Sequence, residues 1–583
     1  MSLLRFLLSP RFTLLDRVGL VALRVFGTFK AALNNSKNRL ITASLLANCD
    51  RSLLSLNFKQ PSSAILFFNL SNTLNFWDSV RCREAFTSKE SSTFVSTLLT
   101  FWPPFPPERA VLKLSSFFSK FICSIANIGI LIISMKIQNY SVSKSINLVF
   151  MRIIFFAFLF TVITANSQTI EECKERFNKY LNLKGTVTKD VIFDTDAFYL
   201  LNSNKGKEFA IYSHELKVLT AYFENASTED QLEFYKFKGT RKLSKLQLDS
   251  IWVSMKEEVK LPKLSGTKSL QGIRIAIDPG HFSSNYTESK IEGKFVKLVN
   301  EESRTKDTIT LVEGQLTFLT ADLLKRMLED QGAKVLITRT QANYTAFGQS
   351  YTEWFRFRRF KVLDSLTALK EITPTECLNY KKLTKNTLFW QFFRDYELVE
   401  RARKINNFAP HLSIIIHYNV DDKNAPWTKA TVRNNSMCFI PGGFAPNDLK
   451  KTVNKIHFVR LLISDQIMRS ELIGSLTINA FQKNLKITTA KQMDTDYLMK
   501  HSVCSTGDGV FCRNLILTRY VNSPLVYGES LYQDNNIECT LLNNCNYSSY
   551  GVSVPQRVYQ VAKSYYEAVL NYFKDPKIRT SDM

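Results

Sequence analysis

The second half of the chain alternates short apolar segments with longer amphipathic ones, and this alternation restricts the folds open to it. GIRIAIDPGH contains a buried strand, Ile273 to Ile277, and TLVEGQLTFLTADLLKRMLEDQG has apolar residues at helical spacing and closes at Gly332. Further strands are KVLITRT, HLSIIIHYN, SMCFIPGG and NSPLVYGES, and further helices are YELVERARKINNFAP, 448–473 and 555–573. Strands that alternate with helices predict an α/β fold, with a largely parallel or mixed sheet flanked by helices.

The same pass along the chain divides it into regions. We expect the α/β domain to span residues 272–575, with a polar, aromatic and helix-prone insertion at 341–395. Residues 259–271 contain Pro262 and Gly266 and are predicted to be a linker. Residues 168–258 begin with helical spacing and continue in short apolar runs, which predicts a small mixed domain of unknown role.

A secretory signal lies at an unusual place, within residues 135–167. Arg152 precedes the apolar run Ile153 to Ile163, and the run ends in the small-residue box Ala165-Asn166-Ser167. This is the order of a signal peptide, and the run is shorter than the roughly 20 residues of a membrane span. We expect a mature protein that begins near Gln168 and is exported to the periplasm, the cell envelope or the medium. An uncleaved N-terminal anchor is the alternative.

Residues 1–134 precede that signal and show no sustained helical or strand period, and WPPFPPE at 102–108 would interrupt any long element. A signal peptide acts near the start of the nascent chain. The simplest interpretation is a misplaced start codon, with translation from Met135 or Met151. The alternative is a genuine N-terminal region with membrane-associated segments such as Phe117 to Ser134.

The net charge of +24 on 583 residues calls for an anionic partner. Nucleic acid, an anionic membrane and an anionic cell wall would all attract such a surface. The chain has no dense Lys/Arg block with interleaved aromatic residues, and the export signal argues against an intracellular partner. We therefore predict that nucleic acid is not a partner.

No two of the ten cysteines form a CxxC pair, so the sequence argues against a zinc ribbon and against a thioredoxin motif. In an exported protein, Cys504 with Cys512 and Cys539 with Cys545 are candidate disulfides. Buried free thiols are the alternative. An odd number lies after residue 168, so at least one is unpaired: Cys173, Cys377, Cys438, Cys504, Cys512, Cys539 and Cys545.

Two of the six histidines directly follow apolar strands. His281 ends the Asp-Pro-Gly-His sequence after the first strand, His417 ends the third strand, and Glu313 lies at the start of the helix between them. Two histidines and one carboxylate are a common ligand set of catalytic zinc, with a fourth position left for water. Because strand ends of an open α/β sheet meet at one edge, we expect these side chains to converge. Each histidine alone could equally be a core or surface residue.

A further carboxylate, Glu529, follows the apolar strand segment PLVYG at residues 524–528. A carboxylate beside a zinc site can act first as general base and then as general acid. The alternative is an ordinary acidic residue at a strand end.

Taken in order, these motifs resemble the zinc-dependent N-acetylmuramoyl-L-alanine amidases of the autolysin and cell-division type. The resemblance covers about residues 272–573, and an ordered match of this kind is more specific than any single motif. The matching features are IDPGH (277–281), Glu313 with Ala321, GAKVLITR (332–339), Arg401 with Asn406 or Asn407, SIIIHYN (413–419), and PLVYGE followed by Asn535.

The resemblance implies a zinc ion, Zn2+, bound by His281, Glu313 and His417, with Glu529 as the catalytic base. It implies peptidoglycan as the partner and hydrolysis of the amide bond between the muramic acid lactyl group and L-alanine. A basic surface suits the anionic wall. The sequence specifies neither an activator protein nor an oligomeric state.

The chain departs from the family pattern after His281. Phe282-Ser283-Ser284 stand where the family usually has a glycine pair, and the segment up to Glu313 is longer than usual. This segment contains competing carboxylate ligands, and Glu313 is preferred because an amphipathic helix follows it in register with the family. The competitors are Glu288, Glu292, Glu301 and Glu302.

Two other functions compete with the amidase interpretation. One is a different zinc hydrolase, acting on the peptide crosslinks of the wall. The other is a degenerate, non-catalytic wall-binding or regulatory protein, which the altered loop after His281 would allow.

Overall fold

Residues 168–255, 261, 268–299, 308–505, 507 and 509–580 are described by the computed structural model of this protein. The N-terminal region 1–134, the signal segment 135–167 and most of the linker 259–271 lie outside these ranges, and their interpretations stay predictions. Two of the competing carboxylates, Glu301 and Glu302, also lie outside them.

Residues 168–255 form a small antiparallel sheet, in the order β1-β2-β3, with helices around it. A capping box between Thr169 and Glu172 begins the first helix. The elements are α1 (Ile170–Arg176), β1 (Val191–Phe193), β2 (Ala197–Leu201), β3 (Lys207–Tyr212), α2 (Leu216–Asn225), α3 (Thr228–Lys238) and α4 (Lys245–Ser254).

The next part of the chain supplies two strands of the central sheet and the helical insertion. Its elements are β4 (Arg274–Pro279), α5 (Tyr286–Glu292), β5 (Phe295–Val299), β6 (Thr308–Val312), α6 (Glu313–Asp330), β7 (Lys334–Ile337), α7 (Tyr351–Glu353), α8 (Arg359–Ala368), α9 (Pro374–Lys382), α10 (Lys385–Leu388) and α11 (Arg394–Phe408). Two π-helical segments, Trp354–Arg358 and Phe389–Phe393, lie within the insertion.

The last part supplies the other five strands of the central sheet. Its elements are β8 (Leu412–Asn419), β9 (Met437–Ile440), α12 (Thr452–Ile463), α13 (Gln466–Leu485), α14 (Asp496–His501), β10 (Val503–Cys504), β11 (Val510–Cys512), α15 (Ile516–Tyr520), β12 (Leu525–Tyr532), α16 (Glu538–Asn543), β13 (Tyr547–Ser549), β14 (Val552–Val554), α17 (Gln556–Lys574) and α18 (Pro576–Thr580). The predicted helix 448–473 is thus two helices, separated at Ser464 and Asp465.

The central sheet has seven strands in the order β10-β11-β9-β12-β8-β4-β7. Strands β12, β8, β4 and β7 are parallel neighbours, while β9 runs antiparallel to β12. The predicted α/β fold with a largely parallel or mixed sheet flanked by helices is confirmed. Strands β10 and β11 have two and three residues, too few to show a period in the sequence.

Successive residues of each strand point to opposite faces of the sheet. On one face, Ile414 and Ile416 of β8 join the large core with α6, α13 and α17. On the other face, Ile415 packs with Ala402 of α11 and Leu517 of α15. His417 follows Ile415 by two residues and therefore extends from this second face, beyond the helices that cover it.

The first region and the sheet share one continuous apolar core, and the described residues from 168 onward belong to one compact unit. Thr220 donates a hydrogen bond to the Ile463 carbonyl at 3.0 Å, and Tyr180 donates one to Glu471 at 2.7 Å. Residues 168–255 are therefore packed against the rest of the described chain. The predicted boundary at residue 258 lies outside the described residues and stays a prediction.

The seven cysteines of the described ranges are all free thiols, so the candidate disulfides Cys504–Cys512 and Cys539–Cys545 are wrong. Cys504 and Cys512 lie on paired strands, but the register sets Cys512 opposite Val503 and Cys504 opposite Phe511. Their side chains therefore do not face each other. Within the described ranges, every helix is too short or too polar to cross a membrane.

Candidate active site

The three predicted ligands meet at the C-terminal edge of the parallel strands. His281 follows β4, His417 lies near the end of β8, and Glu313 begins α6. Oε1 of Glu313 is 2.9 Å from Nδ1 of His417 and 3.4 Å from Nε2 of His281. One ligand atom from each residue lies within 4.8 Å of the other two, and among the described residues this is the group that could hold a metal ion.

Of the two carboxylate oxygens of Glu313, one accepts a hydrogen bond and the other has no hydrogen-bond partner. Oε1 accepts a hydrogen bond from the Tyr418 N–H at 3.2 Å, whereas Oε2 is buried and has no hydrogen-bond partner. The Glu313 side chain is only 1% exposed. An unsatisfied buried carboxylate oxygen is costly, and a bound cation would satisfy it. Two imidazole nitrogens and this carboxylate therefore fit a zinc ion.

A second carboxylate, Glu292 at the end of α5, holds the other edge of the His281 ring. Its Oε1 lies 3.2 Å from Nδ1 of His281, and its Oε2 accepts hydrogen bonds from the Ser283 N–H, at 2.9 Å, and the Ser283 hydroxyl. An Nδ1–H donated to Glu292 leaves the lone pair of Nε2 facing Glu313, which is the tautomer that a metal ligand needs. Glu292, counted in the sequence as a competing ligand, is thus placed to orient one.

The charges of this cluster shift its pKa values. Burial lowers the pKa of His281, but the carboxylates of Glu313 and Glu292 outweigh burial and raise this pKa to about 9. Burial lowers the pKa of His417 to about 4, against the attraction of Glu313. Burial raises the pKa of Glu292, but His281 outweighs it and lowers the value to about 2. Without metal, one imidazolium and two carboxylates therefore share the site at neutral pH.

The loop that carries His281 has a constrained backbone. His281 has a φ of 57°, in the left-handed region that residues other than glycine rarely adopt. A Cβ atom on Gly280 would lie 2.3 Å from the ring of His417, so only glycine fits between the two histidines. The loop sequence thus permits the close approach of the two rings, whose centroids are 4.9 Å apart.

Two buried arginines hold this loop through its carbonyl groups. Arg401 of α11 donates hydrogen bonds to the carbonyls of Pro279, at 2.8 Å, and His281, at 3.2 Å. Arg339 donates to the Pro279 carbonyl at 3.2 Å. Arg401 also pairs with Asp278 at 3.3 Å. These contacts offset the strain of the left-handed residue and fix the direction of its side chain.

Phe282 connects the loop to the insertion. Its ring is buried, with its centroid 5.8 Å from that of Phe389 and 6.0 Å from that of Tyr351. Phe282, which stands where the amidases that the sequence resembles usually have a glycine, therefore anchors the His281 loop in an aromatic cluster. The buried members of this cluster are Phe282, Ile291, Tyr351, Trp354, Leu388, Phe389 and Phe393.

Glu529 lies on β12, directly opposite His417 in the parallel register. It is not part of the three-residue ligand group. Its Oε2 is buried without a hydrogen-bond partner. Burial and the charge of Glu313 raise the pKa of Glu529 to about 8. A carboxylate with a pKa near neutrality beside the ligand group has the properties of a general base.

Other carboxylates near the site are engaged elsewhere. Glu288 accepts a hydrogen bond from the Thr352 hydroxyl of the insertion. Glu538, the first residue of α16, pairs with Arg557 and accepts a hydrogen bond from Asn434 at 2.9 Å. Sequence reasoning missed two basic residues, Lys294 and Arg513, whose charges act to lower the pKa of Glu529. Neither residue lies in a motif.

No family profile and no curated protein matches the chain. Among solved structures, it is similar to the CwlD amidase from Clostridioides difficile in complex with the GerS lipoprotein, at 13% identity and a TM-score of 0.28, over 52% of this chain and 99% of that chain. It is similar to the catalytic domain of CwlV, an N-acetylmuramoyl-L-alanine amidase from Bacillus (Paenibacillus) polymyxa var. colistinus, at 12% identity and a TM-score of 0.27, over 52% and 98%. It is also similar to the N-acetylmuramyl-L-alanine amidase Ami1 from Mycobacterium smegmatis, at 11% identity and a TM-score of 0.30, over 52% of this chain and 98% of that chain. Similarity at this level assigns neither an activity nor a site residue to this chain.

Proposed function

We propose that this chain is a zinc-dependent N-acetylmuramoyl-L-alanine amidase that acts on peptidoglycan. The observation that carries the proposal is the cluster of His281, Glu313 and His417 with Glu529 beside it. Glu313 and Glu529 each have a buried carboxylate oxygen without a hydrogen-bond partner. A cation and a water molecule bound at the site would satisfy these two oxygens.

His281 would bind zinc through Nε2, His417 through Nδ1 and Glu313 through a carboxylate oxygen. Zinc bound there supplies a Lewis acid that polarises a carbonyl group and lowers the pKa of a water molecule toward about 7. Glu292, with Oε1 3.2 Å from Nδ1 of His281, would keep the remaining proton of this ring on Nδ1 when zinc occupies Nε2. Arg401 and Arg339 keep the loop that positions this ring in place.

Glu529 would take a proton from the attacking water and deliver it to the departing nitrogen of L-alanine. Its pKa of about 8 belongs to the metal-free site, where the charge of Glu313 contributes to raising it. A zinc ion on Glu313 would offset that charge and favour the ionised carboxylate that can accept the proton. The products are a glycan strand with a free lactyl carboxylate and a stem peptide with a free amino end.

The choice of substrate rests on the ordered motif resemblance over residues 272–573. Residues 168–583, the expected exported part, have 58 basic and 46 acidic side chains, and this net charge of +12 suits an anionic wall polymer to which the signal segment would bring the enzyme. A zinc peptidase that cuts wall crosslinks would use the same cluster on another bond. A non-catalytic wall-binding protein would bind peptidoglycan without releasing products.

Digestion of purified peptidoglycan separates these three functions. The purified protein, loaded with zinc or treated with a chelator, is incubated with sacculi and the products are identified by mass. We expect stem peptides that begin with L-alanine, released only by the zinc-loaded protein. Cleaved crosslinks with muramoyl-linked stems would instead identify a peptidase, and binding without products would identify a wall-binding protein.

A further inference from the structure

Arg513 lies at the end of β11, on the same face of the sheet as His417 and Glu529. Its N–H donates to the Ile440 carbonyl at 3.0 Å, which places it beside the end of β9. Its guanidinium carbon lies 5.0 Å from the ring centroid of Phe439 and 4.8 Å from that of Tyr497. Two aromatic rings therefore hold this cation in place.

Within the described part of the chain the guanidinium group of Arg513 forms no ion pair, although its charge acts on Glu529 and lowers the pKa of that carboxyl group. Its Nε is buried and makes no hydrogen bond, and no carboxylate there forms an ion pair with it. Other arginines around the site are satisfied: Arg401 pairs with Asp278, and Arg433 with Asp421. A partly buried cation without a counter-ion is costly unless a ligand supplies the anion.

A continuous stack of side chains joins Arg513 to the proposed metal site. The His417 ring stacks on Tyr527, with centroids 4.4 Å apart and an interplanar angle of 7°, and Tyr527 contacts Phe439 at 5.8 Å. The guanidinium carbon of Arg513 lies 5.0 Å from the centroid of the same Phe439 ring. Since neighbouring strands are about 4.8 Å apart, β11 is about 10 Å from the strand of Glu529. Extended peptide spans roughly 3.5 Å per residue, so this distance corresponds to two or three residues.

We propose that Arg513 binds the free carboxylate of the stem-peptide residue that follows L-alanine. This inference rests on the proposed amidase function and names the part of the substrate that the site recognises. A planar guanidinium held between two aromatic rings presents parallel N–H donors, which match a carboxylate in a bidentate pair. A neutral carboxamide at the same position would lose the ionic contact.

The test compares two muramoyl dipeptides that differ only at this group. One carries D-glutamate with a free α-carboxylate after L-alanine, and the other carries the corresponding α-amide, D-isoglutamine; in both, the γ-carboxyl group is blocked as an N-methylamide, so that the α-group is the only difference in charge. The full chain, loaded with zinc, is assayed on both as wild type, Arg513→Gln and Arg513→Lys. Arg403→Gln is the matched control, because Arg403 is exposed and pairs with Glu400 on the outside of α11.

We expect wild type to prefer the acid over the amide, and Arg513→Gln to lose about 10- to 100-fold in kcat/KM on the acid, mainly through KM. Activity on the amide should change little. Arg513→Lys should retain part of the preference, and Arg403→Gln all of it. Equal losses on both substrates, or no loss on either, would overturn the role of Arg513. Failure of the zinc-loaded wild type on both substrates would instead refute the amidase function itself.

Discussion

Glu292 contacts His281 through Nδ1, at 3.2 Å, while Nε2 of the same imidazole faces Glu313 at 3.4 Å. One ring is thus held between two carboxylates, of which one can set its tautomer and the other can share a metal with it. The 11-residue separation between His281 and Glu292 is bridged by a loop and a short helix, which bring the carboxylate back onto the ring.

Replacing Glu292 by glutamine tests this arrangement. We expect zinc affinity to fall about 10- to 100-fold, because a carboxamide no longer fixes the proton on Nδ1. Chelator competition measures the affinity. Glu288→Gln, on the same helix but bonded to Thr352, is the control and should keep wild-type affinity. Equal affinities in the two variants would contradict an orienting role for Glu292.

Removing either histidine of the cluster should remove the metal. A site with three protein ligands has none to spare, so His281→Ala and His417→Ala should lose zinc that wild type retains through dialysis. Elemental analysis gives the stoichiometry, and we expect one zinc per wild-type chain. His501→Ala, at the exposed end of α14, should keep its zinc. Full zinc content in both cluster variants would show that the ligands are elsewhere.

Glu529→Gln and Glu313→Gln should fail in different ways. The first should keep zinc and the fold but lose about 10²–10⁴-fold in turnover, because an amide cannot accept the proton of water. The second should lose metal affinity, because a neutral amide is a poorer ligand. Zinc content and released stem peptides are measured for each. Near wild-type turnover in Glu529→Gln would point to another base.

Zinc binding should depend on pH through His281. Its pKa of about 9 in the metal-free site means that the imidazole carries a proton at neutral pH. Zinc must displace that proton, so apparent affinity should rise by about tenfold per pH unit below pH 9 and level off above it. Isothermal titration in buffers of different ionisation enthalpy counts the released proton. A pH-independent affinity between pH 7 and 9 would mean that His281 is neutral before zinc binds.

Phe282→Ala tests whether the insertion supports the site. Truncating this buried ring should destabilise the protein by about 3–5 kcal/mol and loosen the His281 loop. Phe357→Ala is the matched control, because that ring is 77% exposed, and should change stability by no more than about 0.5 kcal/mol. Denaturant unfolding measures both variants. Equal stabilities would show that the aromatic cluster does not hold the loop.

The alternation of apolar strands and amphipathic helices was sufficient to predict the fold class and where the site residues converge. His281 lies just beyond β4, whereas His417 and Glu529 lie within β8 and β12, two and three residues before those strands end. The carboxyl ends of parallel strands meet at one edge, which brings the three side chains to the same part of the sheet. Glu313 begins the helix after its strand, as its amphipathic sequence predicts. Period and position along a strand are local properties, so the sequence encodes them directly.

Tertiary structure alone decided which groups surround that edge. Three contacts depend on irregular segments of the chain: Glu292 with His281, Phe282 with the insertion, and Arg513 with Phe439. In such segments no repeating period links residue number to side-chain direction. The direction of a loop side chain is therefore determined only when the chain packs. The sequence by itself thus determined the sheet and the residues at its edge, and packing of the loops determined what each of those residues contacts.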